Sequence, residues 1–378
     1  MHKPFSFGFL FLDEIHHVNH FISLAVALSE EHQVSILTHD RDTQYLEAAL
    51  NRFKNHKVVV EKCPTHWFRK LTDIIKGRPL PRKGFWIKHN RKHLLNDFDA
   101  LIFTDYIHKK LLKYRGESEF PKFIKIPHGP AGRSYVYKKE LKDFDLHIVF
   151  GSHYKKNLKA RDLLGNKTKV AGYFKLDGIK DQQLPTLFNN RKPVVLYNPH
   201  FDERLSSWHI LGTQILDYFK SQDHYNLIFA PHINLFNKAD VKLDANLLND
   251  YQGLKHIHID LGSTASVDMV YTRLADIYLG DVSSQSLEFI IQPRPCIFIN
   301  AHQVDYKGDV GYKFWTFGDV ISQVDQLENA LKVAPEQFKT YKSIQKASTK
   351  GDFKTKRKST PTERGARKIL RFMRKVSS

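Results

Sequence analysis

Short apolar runs alternate with amphipathic segments along most of the chain, the pattern of an α/β protein. Before residue 186 the runs that predict strands are FSFGFLFL, QVSILTH, KVVVEK, DALIFTD, KFIKIPHG, LHIVFGS and TKVAGYF. Helices are predicted between several of these runs, for example at HFISLAVALSEE and HYKKNLKARDLLG. This order of elements indicates a parallel sheet whose strands are covered by helices on both faces.

A second series of the same kind starts at Pro193. Its predicted strands are PVVLYNPHF, YNLIFAPHI, KHIHID, ADIYLGD and RPCIFIN, and its predicted helices are SSWHILGTQILDYFKSQ, ASVDMVYTRL, SQSLEFIIQ and VDQLENALKV. A chain of 378 residues that is 41% hydrophobic is long enough for two cores. We therefore predict two doubly wound, Rossmann-type domains, residues 1–185 and 186–338, that bind ligands at their strand ends in a cleft between the domains.

Cysteine content and hydropathy restrict the compartment. The two cysteines, Cys63 and Cys296, show no Cys-x-x-Cys spacing, which favours a reducing cytosol over a disulfide framework. The apolar run near the N-terminus is closed by Asp13 and Glu14, so a first strand is expected there rather than a signal peptide. Apolar runs of about 18 residues, the length of a transmembrane helix, are not found in the sequence.

Basic residues are concentrated in a tail. The chain has a formal net charge of +19, and residues 339–378 contain 14 Lys or Arg against 2 Asp or Glu. Within this tail, KGDFKTKRKSTPTERG is predicted to be a disordered linker, and ARKILRFMRKV an amphipathic helix on a membrane surface. A purely solubilising tail is the alternative. Nucleic acid is not an expected partner, because no recognition-helix, zinc-finger or RNP-type pattern accompanies the charge.

A second basic region, KGRPLPRKGFWIKHNRKHLL, interleaves aromatic residues with cations in the first domain. An exposed charged loop is the simplest interpretation, but the composition also suits a membrane interface or a phosphate-bearing acceptor. We predict a cytoplasmic protein held peripherally at the inner face of the inner membrane. The residues assigned to membrane or acceptor contact are Arg82, Lys83, Trp86, Lys88, Arg371 and Arg374.

Three predicted strand ends carry polar residues suited to phosphate chemistry. His128 follows the run KFIKIP and precedes Gly129, and His232 follows LIFAP in the second domain. The third end is ADIYLGDVSSQSLEF, where a serine pair begins a predicted helix whose backbone amides favour an anion. Each feature alone has a structural explanation, a hydrogen-bonded histidine or a plain helix cap, but three such ends predict a shared ligand site.

The same segments resemble the CDP-glycerol glycerophosphotransferase family. ADIYLGDVSSQSLEFIIQPRPCIFI is similar to the family's strand, Asp-Tyr-Ser-Ser turn, helix and Pro-led strand, with Val282 at the Tyr position. The PHG at 127–129, the VAGYFKLD segment and VVLYNPHFDE are similar to three further family motifs in the same order. The resemblance covers roughly residues 121–300.

What the resemblance implies is a GT-B-like enzyme of cell-surface polysaccharide synthesis, such as teichoic acid or capsule. It would move glycerol phosphate, or a related polyol phosphate, from a CDP-linked donor to a hydroxyl of a glycan or lipid-linked acceptor and release CMP. Residues 1–185 would bind the acceptor and residues 186–338 the nucleotide donor. The implied catalytic residues are His128 and His232, and the implied donor-binding residues are Gly129, Gly172, Asp281, Ser283, Ser284 and Glu288.

Two other classes of function remain open. A GT-B glycosyltransferase would use a nucleotide sugar, and Asp281 with Glu288 is one residue short of the acidic pair of retaining enzymes. A non-catalytic binding protein of the same fold is the third class. No cofactor and no bound metal are expected, and His16, His17 and His20 are predicted to lie on a solvated loop or helix face rather than to bind zinc.

Overall fold

The computed structural model describes residues 3–12, 15–40, 43–78, 80–129, 137–165, 167–236, 245–353 and 358–378. These residues form two compact units. Unit 1 comprises the described residues up to 129, residues 137–182 and residues 350–378, and unit 2 comprises residues 183–349. The C-terminal part of the basic tail, from residue 350, therefore belongs to the first unit in space although it is last in sequence.

Unit 1 is built on a parallel sheet of seven strands within its described residues, in the order β3-β2-β1-β4-β5-β6-β7. The strands are β1 Ser6–Phe11, β2 Gln33–Thr38, β3 Val59–Lys62, β4 Ala100–Phe103, β5 Lys122–Lys125, β6 Leu146–Val149 and β7 Thr168–Val170. The helices that follow them are α1 Ile22–Ser29, α2 Gln44–Leu50, α3 Trp67–Ile75, α4 Lys83–Asn96, α5 His108–Arg115, α6 Ser152–Ala160 and α7 Lys175–Gly178. In central strand β1, Phe7 lies between Val34 of β2 and Ala100 of β4.

Unit 2 has a parallel sheet of six strands in the part of the chain that the structure describes, in the order β10-β9-β8-β11-β12-β13. The strands are β8 Val194–Asn198, β9 Asn226–Phe229, β10 Ile257–Ile259, β11 Ile277–Gly280, β12 Cys296–Ile299 and β13 Asp319–Ile321. The helices are α8 Trp208–Ser221, α9 Thr264–Val267, α10 Val270–Leu274 and α11 Gln285–Phe289, followed by α12 Leu327–Phe353 and, in unit 1, α13 Pro361–Val376. Chain order changes direction at β8 and β11, where the loops diverge and a ligand crevice is expected.

The twelve strands predicted from the sequence are all present, and the prediction of an α/β fold is confirmed. Strand β13 was missed because its three residues, Asp-Val-Ile, give too short an apolar run. The predicted helix ASVDMVYTRL is divided into α9 and α10, because Met269 adopts a left-handed backbone with φ of 59°.

The tail differs from its prediction. Helix α12 continues to Phe353 and α13 begins at Pro361, so most of the segment predicted to be a disordered linker is helical, and residues 354–357 lie outside the described chain. A capping box between Thr360 and Glu363 fixes the start of α13. Of the described helices, none combines the length and hydropathy needed to cross a bilayer.

The apolar face of α13 is buried within unit 1. Ile369 and Met373 are fully buried, and α13 contacts α1 and β6. Thr362 Oγ1 donates to Ser23 Oγ of α1 at 2.8 Å, and Arg364 donates from Nε to the carbonyl oxygen of Ala171. This face is not available to a membrane, which corrects the prediction of a membrane-surface helix. Arg371 and Arg374 remain exposed on the opposite side.

We expect Ile369→Ala to lower the free energy of unfolding by about 2–4 kcal/mol, because it leaves a cavity between α13 and the body of unit 1. Arg371→Ala, an exposed change on the same helix, is the matched control and should change it by less than about 0.5 kcal/mol. Chemical denaturation measures both. Equal, small effects would mean that α13 does not stabilise unit 1.

Candidate functional site

His128 lies at the carboxyl end of β5 in unit 1. Its Nδ1 is 2.8 Å from the carbonyl oxygen of Thr104, the residue that follows β4. A carbonyl oxygen can only accept, so Nδ1 carries the hydrogen, and in the neutral ring Nε2 is left with the lone pair. Burial, with the nearby Lys125 ammonium as the second cause, lowers the pKa of His128 to about 4. At neutral pH this imidazole is a proton acceptor at Nε2.

A histidine cluster surrounds His128, formed by residues of the 3-10 helix Ile15–His20 that follows β1. The ring of His17 stacks on that of His128 with centroids 4.4 Å apart, and its Nδ1 lies 3.0 Å from Thr104 Oγ1. His17 and His20 are buried, and burial is the main reason that the pKa of each is well below its usual value. The prediction of a solvated face was therefore wrong for His17 and His20, while His16 is half-buried.

Lys125 places a buried positive charge beside the histidine cluster. Its Nζ donates to the carbonyl oxygens of Thr104 at 2.8 Å and Ile126 at 2.9 Å. The Thr104 carbonyl thus accepts from both Lys125 and His128, which fixes the orientation of the imidazole. Lys125 was not predicted from the sequence, because a lysine within an apolar run usually indicates an edge strand or a surface position.

Asp281 organises the corresponding strand ends of unit 2. It follows β11 and is fully buried, and its Oδ2 accepts from the backbone N–H groups of His200 at 2.8 Å and Ser207 at 2.9 Å. Burial raises the pKa of Asp281 to about 7, although these two hydrogen bonds oppose the rise. Gly280 is needed beside it, since a Cβ there would lie 2.8 Å from the Asn198 carbonyl oxygen of β8. Asp281 therefore positions the loop after β8 rather than presenting its carboxylate at the surface.

The serine turn differs in detail from the predicted cap. Ser284 is the N-cap of α11 but accepts no side-chain capping bond from the described backbone, and α11 has only five residues. Ser283 is buried and its Oγ accepts from the Gln285 N–H at 3.2 Å. Glu288 is buried in α11. Of the predicted donor-binding residues of this segment, Ser284 is the most accessible.

His232 and His200 lie close together at the ends of β9 and β8, with ring centroids 5.8 Å apart and Phe201 beside both. His232 Nδ1 accepts from the Asn234 N–H at 3.2 Å, and His200 Nδ1 accepts from the Asp202 N–H at 2.9 Å. In both neutral rings the hydrogen is therefore on Nε2, which makes each a donor. His200 was not singled out from the sequence, although the PHF in VVLYNPHFDE contains it.

The two glycines assigned to donor binding have different surroundings. No described heavy atom lies within 4 Å of a Cβ built on Gly129. Gly172 has φ of +118° and a Cβ there would lie 2.5 Å from an Arg364 nitrogen and 3.0 Å from Pro361. Gly172 thus allows close packing of α13, which explains the glycine without a ligand.

The basic region of unit 1 lies mostly in helix α4 and is not the charged loop that was the simplest interpretation. Trp86 is fully buried in α4 and donates from Nε1 to the Cys63 carbonyl oxygen at 2.7 Å, so it cannot insert into an interface. Lys83 pairs with Asp105 at 2.9 Å and Arg82 Nε with Asp73 at 2.8 Å. Of these four predicted contact residues only Lys88 is exposed.

One group of side chains in the described residues brings possible metal ligands together. Single ligand atoms of Glu61, Cys63 and His93 lie within 4.8 Å of one another. His93 is already paired, with Nε2 3.0 Å from Glu61 Oε2 and Nδ1 2.6 Å from Asp97 Oδ2. These ion pairs account for the cluster without a metal, and it is separate from the histidine cluster around His128.

Comparison with known proteins supports the fold. No protein-family model and no curated protein sequence matches the chain. Among solved structures, S. aureus MnaA with UDP matches with a TM-score of 0.63 and 12% identity, covering 99% of this chain and 98% of that one. UDP-GlcNAc 2-epimerase from Neisseria meningitidis bound to UDP-GlcNAc matches at 0.60 and 12%, covering 99% and 100%. The wall teichoic acid polymerase TagF soaked with CDPG matches at 0.60 and 15%, covering 100% and 90%.

These matches and the two parallel sheets define a GT-B-type α/β fold made of two Rossmann-like units. At such identities the similarity describes the fold alone.

Proposed function

We propose that this protein is a transferase that moves glycerol phosphate, or a related polyol phosphate, from a CDP-linked donor to a hydroxyl of a glycan or lipid-linked acceptor. The observation that carries the proposal is that two histidines carry their ring hydrogen on different nitrogens. His128 has its lone pair on Nε2 and is a proton acceptor, whereas His232 has its hydrogen on Nε2 and is a donor. Attack of a hydroxyl on a diphosphate is accelerated by a base that takes the hydroxyl proton and by donors that stabilise the phosphate charge.

In the proposed reaction, His128 Nε2 takes the proton of the acceptor hydroxyl as its oxygen attacks the phosphorus that bears the polyol. A new P–O bond forms, the bond between that phosphorus and the CMP oxygen breaks, and CMP leaves with the electron pair. Nε2–H groups of His232 and His200, with Ser284, stabilise the negative charge on the phosphates. Asp281 holds the His200 backbone in place, so its role in donor binding is positioning.

A nucleotide-sugar transferase is the second candidate, because the Neisseria meningitidis structure of similar fold contains UDP-GlcNAc. The burial of both Asp281 and Glu288 favours the first candidate, since neither carboxylate is exposed to a sugar.

The reaction itself is tested by ³¹P NMR of CDP-glycerol incubated with the protein and a hydroxyl-bearing amphiphile such as octyl glucoside. Equal growth of CMP and phosphodiester signals is the expected result. Formation of CMP and free glycerol phosphate alone would indicate hydrolysis instead.

The pH dependence of kcat/KM follows from the environment of His128. Burial, then Lys125 and His16, oppose protonation of His128, while the Thr104 carbonyl and Asp105 favour it, and the net result is a pKa of about 4. The reactive form of His128 is neutral, so protonation of His128 should lower activity only as the pH approaches 4. Asp281, whose pKa is about 7, also titrates above this pH, and Asp281→Asn removes that contribution. Initial rates of the asparagine variant, with circular dichroism as a control for folding, test this, and an acid limb centred near 6.5 in that variant would contradict it.

A further inference from the structure

Helix α3 presents an apolar face to solvent. Its large apolar side chains Trp67, Phe68, Leu71, Ile74 and Ile75 are 70%, 48%, 47%, 60% and 74% exposed. Their spacing, i, i+1, i+4, i+7 and i+8, places all five on one side of the helix, here called the α3 apolar face. A helix on the surface of a soluble domain normally has the reverse orientation, with this stripe turned towards the core.

The opposite side of α3 is fixed by charge rather than by apolar packing. The helix is described in full, and Asp73 is its only buried residue. Asp73 Oδ1 lies 2.8 Å from Arg82 Nε and 3.3 Å from Arg78 Nη1, and Arg82 Nη2 donates to Thr72 Oγ1 at 3.0 Å. These bonds orient the helix with its polar side inward and hold the α3 apolar face outward.

The segment that carries this face is rich in cations. Residues 66–92 contain nine Lys or Arg and one acidic residue, the buried Asp73. Lys70, Lys76, Lys88 and Lys92 are exposed. The guanidinium of Arg69 lies 4.1 Å from the centroid of the Phe85 ring, which ties α3 to the first turn of α4. An apolar stripe with a basic border is complementary to the interface of an anionic bilayer, where aromatic and aliphatic side chains enter the acyl boundary and lysines meet the head groups.

We propose that α3 docks unit 1 on an anionic lipid bilayer, with the α3 apolar face inserted at the interface. Neither region predicted from the sequence supplies such an apolar face, because Trp86 is buried in α4 and Ile369, Phe372 and Met373 are buried in α13. The inference deepens the proposed function, since it gives the transferase direct access to a lipid-linked acceptor. It does not depend on the identity of the donor.

Tryptophan fluorescence reports this docking in the unmodified protein. All four tryptophans are described, and Trp67 is exposed whereas Trp86, Trp208 and Trp315 are buried. Vesicles of phosphatidylcholine with phosphatidylglycerol should shift the emission to the blue, and brominated lipids should quench it. Trp67→Phe should abolish the shift and retain most of the binding. Binding without any change in Trp67 emission would overturn the proposal.

Sedimentation with the same vesicles tests the face by mutation. Ile74→Glu with Ile75→Glu should reduce the bound fraction at least about tenfold, and high salt should weaken wild-type binding. Val310→Glu, at a site 67% exposed in unit 2, is the matched control and should bind normally. Unchanged vesicle binding by the α3 double variant would overturn the proposal. So would light scattering that shows the wild-type protein to dimerise through α3 while it does not bind vesicles. CDP-glycerol turnover on octyl glucoside is measured in parallel, so that failure of the docking and failure of the transferase activity can be distinguished.

Discussion

Replacing His128 with alanine is expected to lower the turnover of CDP-glycerol by about 100-fold or more, with little change in donor affinity. The reason is that the Nδ1–H bond to the Thr104 carbonyl leaves the lone pair of His128 on Nε2, where it can accept a proton. Lys125 also donates to this carbonyl, but its ammonium group cannot accept a proton. Loss of the base removes proton acceptance from the acceptor hydroxyl but leaves the donor-binding groups of unit 2 unchanged. Initial rates give the turnover, and calorimetry with CDP-glycerol gives the affinity.

His224→Ala is the matched control, because the His224 side chain is 83% exposed in unit 2. It should retain normal turnover. His128→Gln is informative as well, since a glutamine can donate a hydrogen bond but cannot accept a proton at neutral pH. Near-normal turnover of either His128 variant would remove His128 from the mechanism, while the fold assignment would be unaffected.

Asp281→Ala is expected to lower the free energy of unfolding of unit 2 by about 2–5 kcal/mol and to abolish CDP-glycerol binding. Its carboxylate satisfies the backbone N–H groups of His200 and Ser207, and leaving two buried donors unpaired costs this much. Because the His200 loop is then no longer fixed, the donor-binding groups at the end of β8 lose their positions. Differential scanning calorimetry measures the stability, and titration with CDP-glycerol measures the binding.

Asp281→Asn distinguishes positioning from charge. The amide oxygen can still accept from the two N–H groups, so most of the stability and donor affinity should be retained. The pKa of Asp281 is about 7 in the folded wild type, above the usual 3.8 of an aspartate in an unfolded chain. Between these two pH values the folded protein therefore binds more protons than the unfolded chain. The Asp281 contribution therefore decreases as pH rises from about 4 to 7, and the asparagine variant should lack this slope. Loss of donor binding in the asparagine variant, with stability unchanged, would show that the carboxylate charge itself is required.

The sheets were predictable from the sequence because buried parallel strands give nearly continuous apolar runs. ADIYLGD and KFIKIPHG each become a strand whose end carries the expected polar residue, Asp281 or His128. Placement at a strand end follows from chain order alone, since all strands of a doubly wound sheet have their carboxyl ends at one edge. The position of three candidate residues, including His232, was therefore accessible without a structure.

Hydrogen-bond partners and exposed faces were not predictable in this way. The tautomers of His128 and His232 depend on whether the neighbouring group is the Thr104 carbonyl or the Asn234 N–H, which no sequence pattern specifies. The apolar stripes of α3 and α13 look alike in sequence, yet one is exposed and the other is buried against α1. On the inner side of α3, Asp73 binds Arg78 and Arg82, a contact that the apolar pattern of the helix does not specify.

The most direct test of the proposed donor class is a thermal-shift comparison of CDP-glycerol, CDP-ribitol, UDP-GlcNAc and ADP-heptose with the purified protein. A ligand that binds the folded state raises the unfolding midpoint in proportion to its affinity and concentration, and no acceptor is needed. We predict that the CDP-linked compounds raise the midpoint and that Asp281→Ala abolishes the rise. Stabilisation by UDP-GlcNAc or ADP-heptose, with no response to either CDP-linked compound, would contradict it.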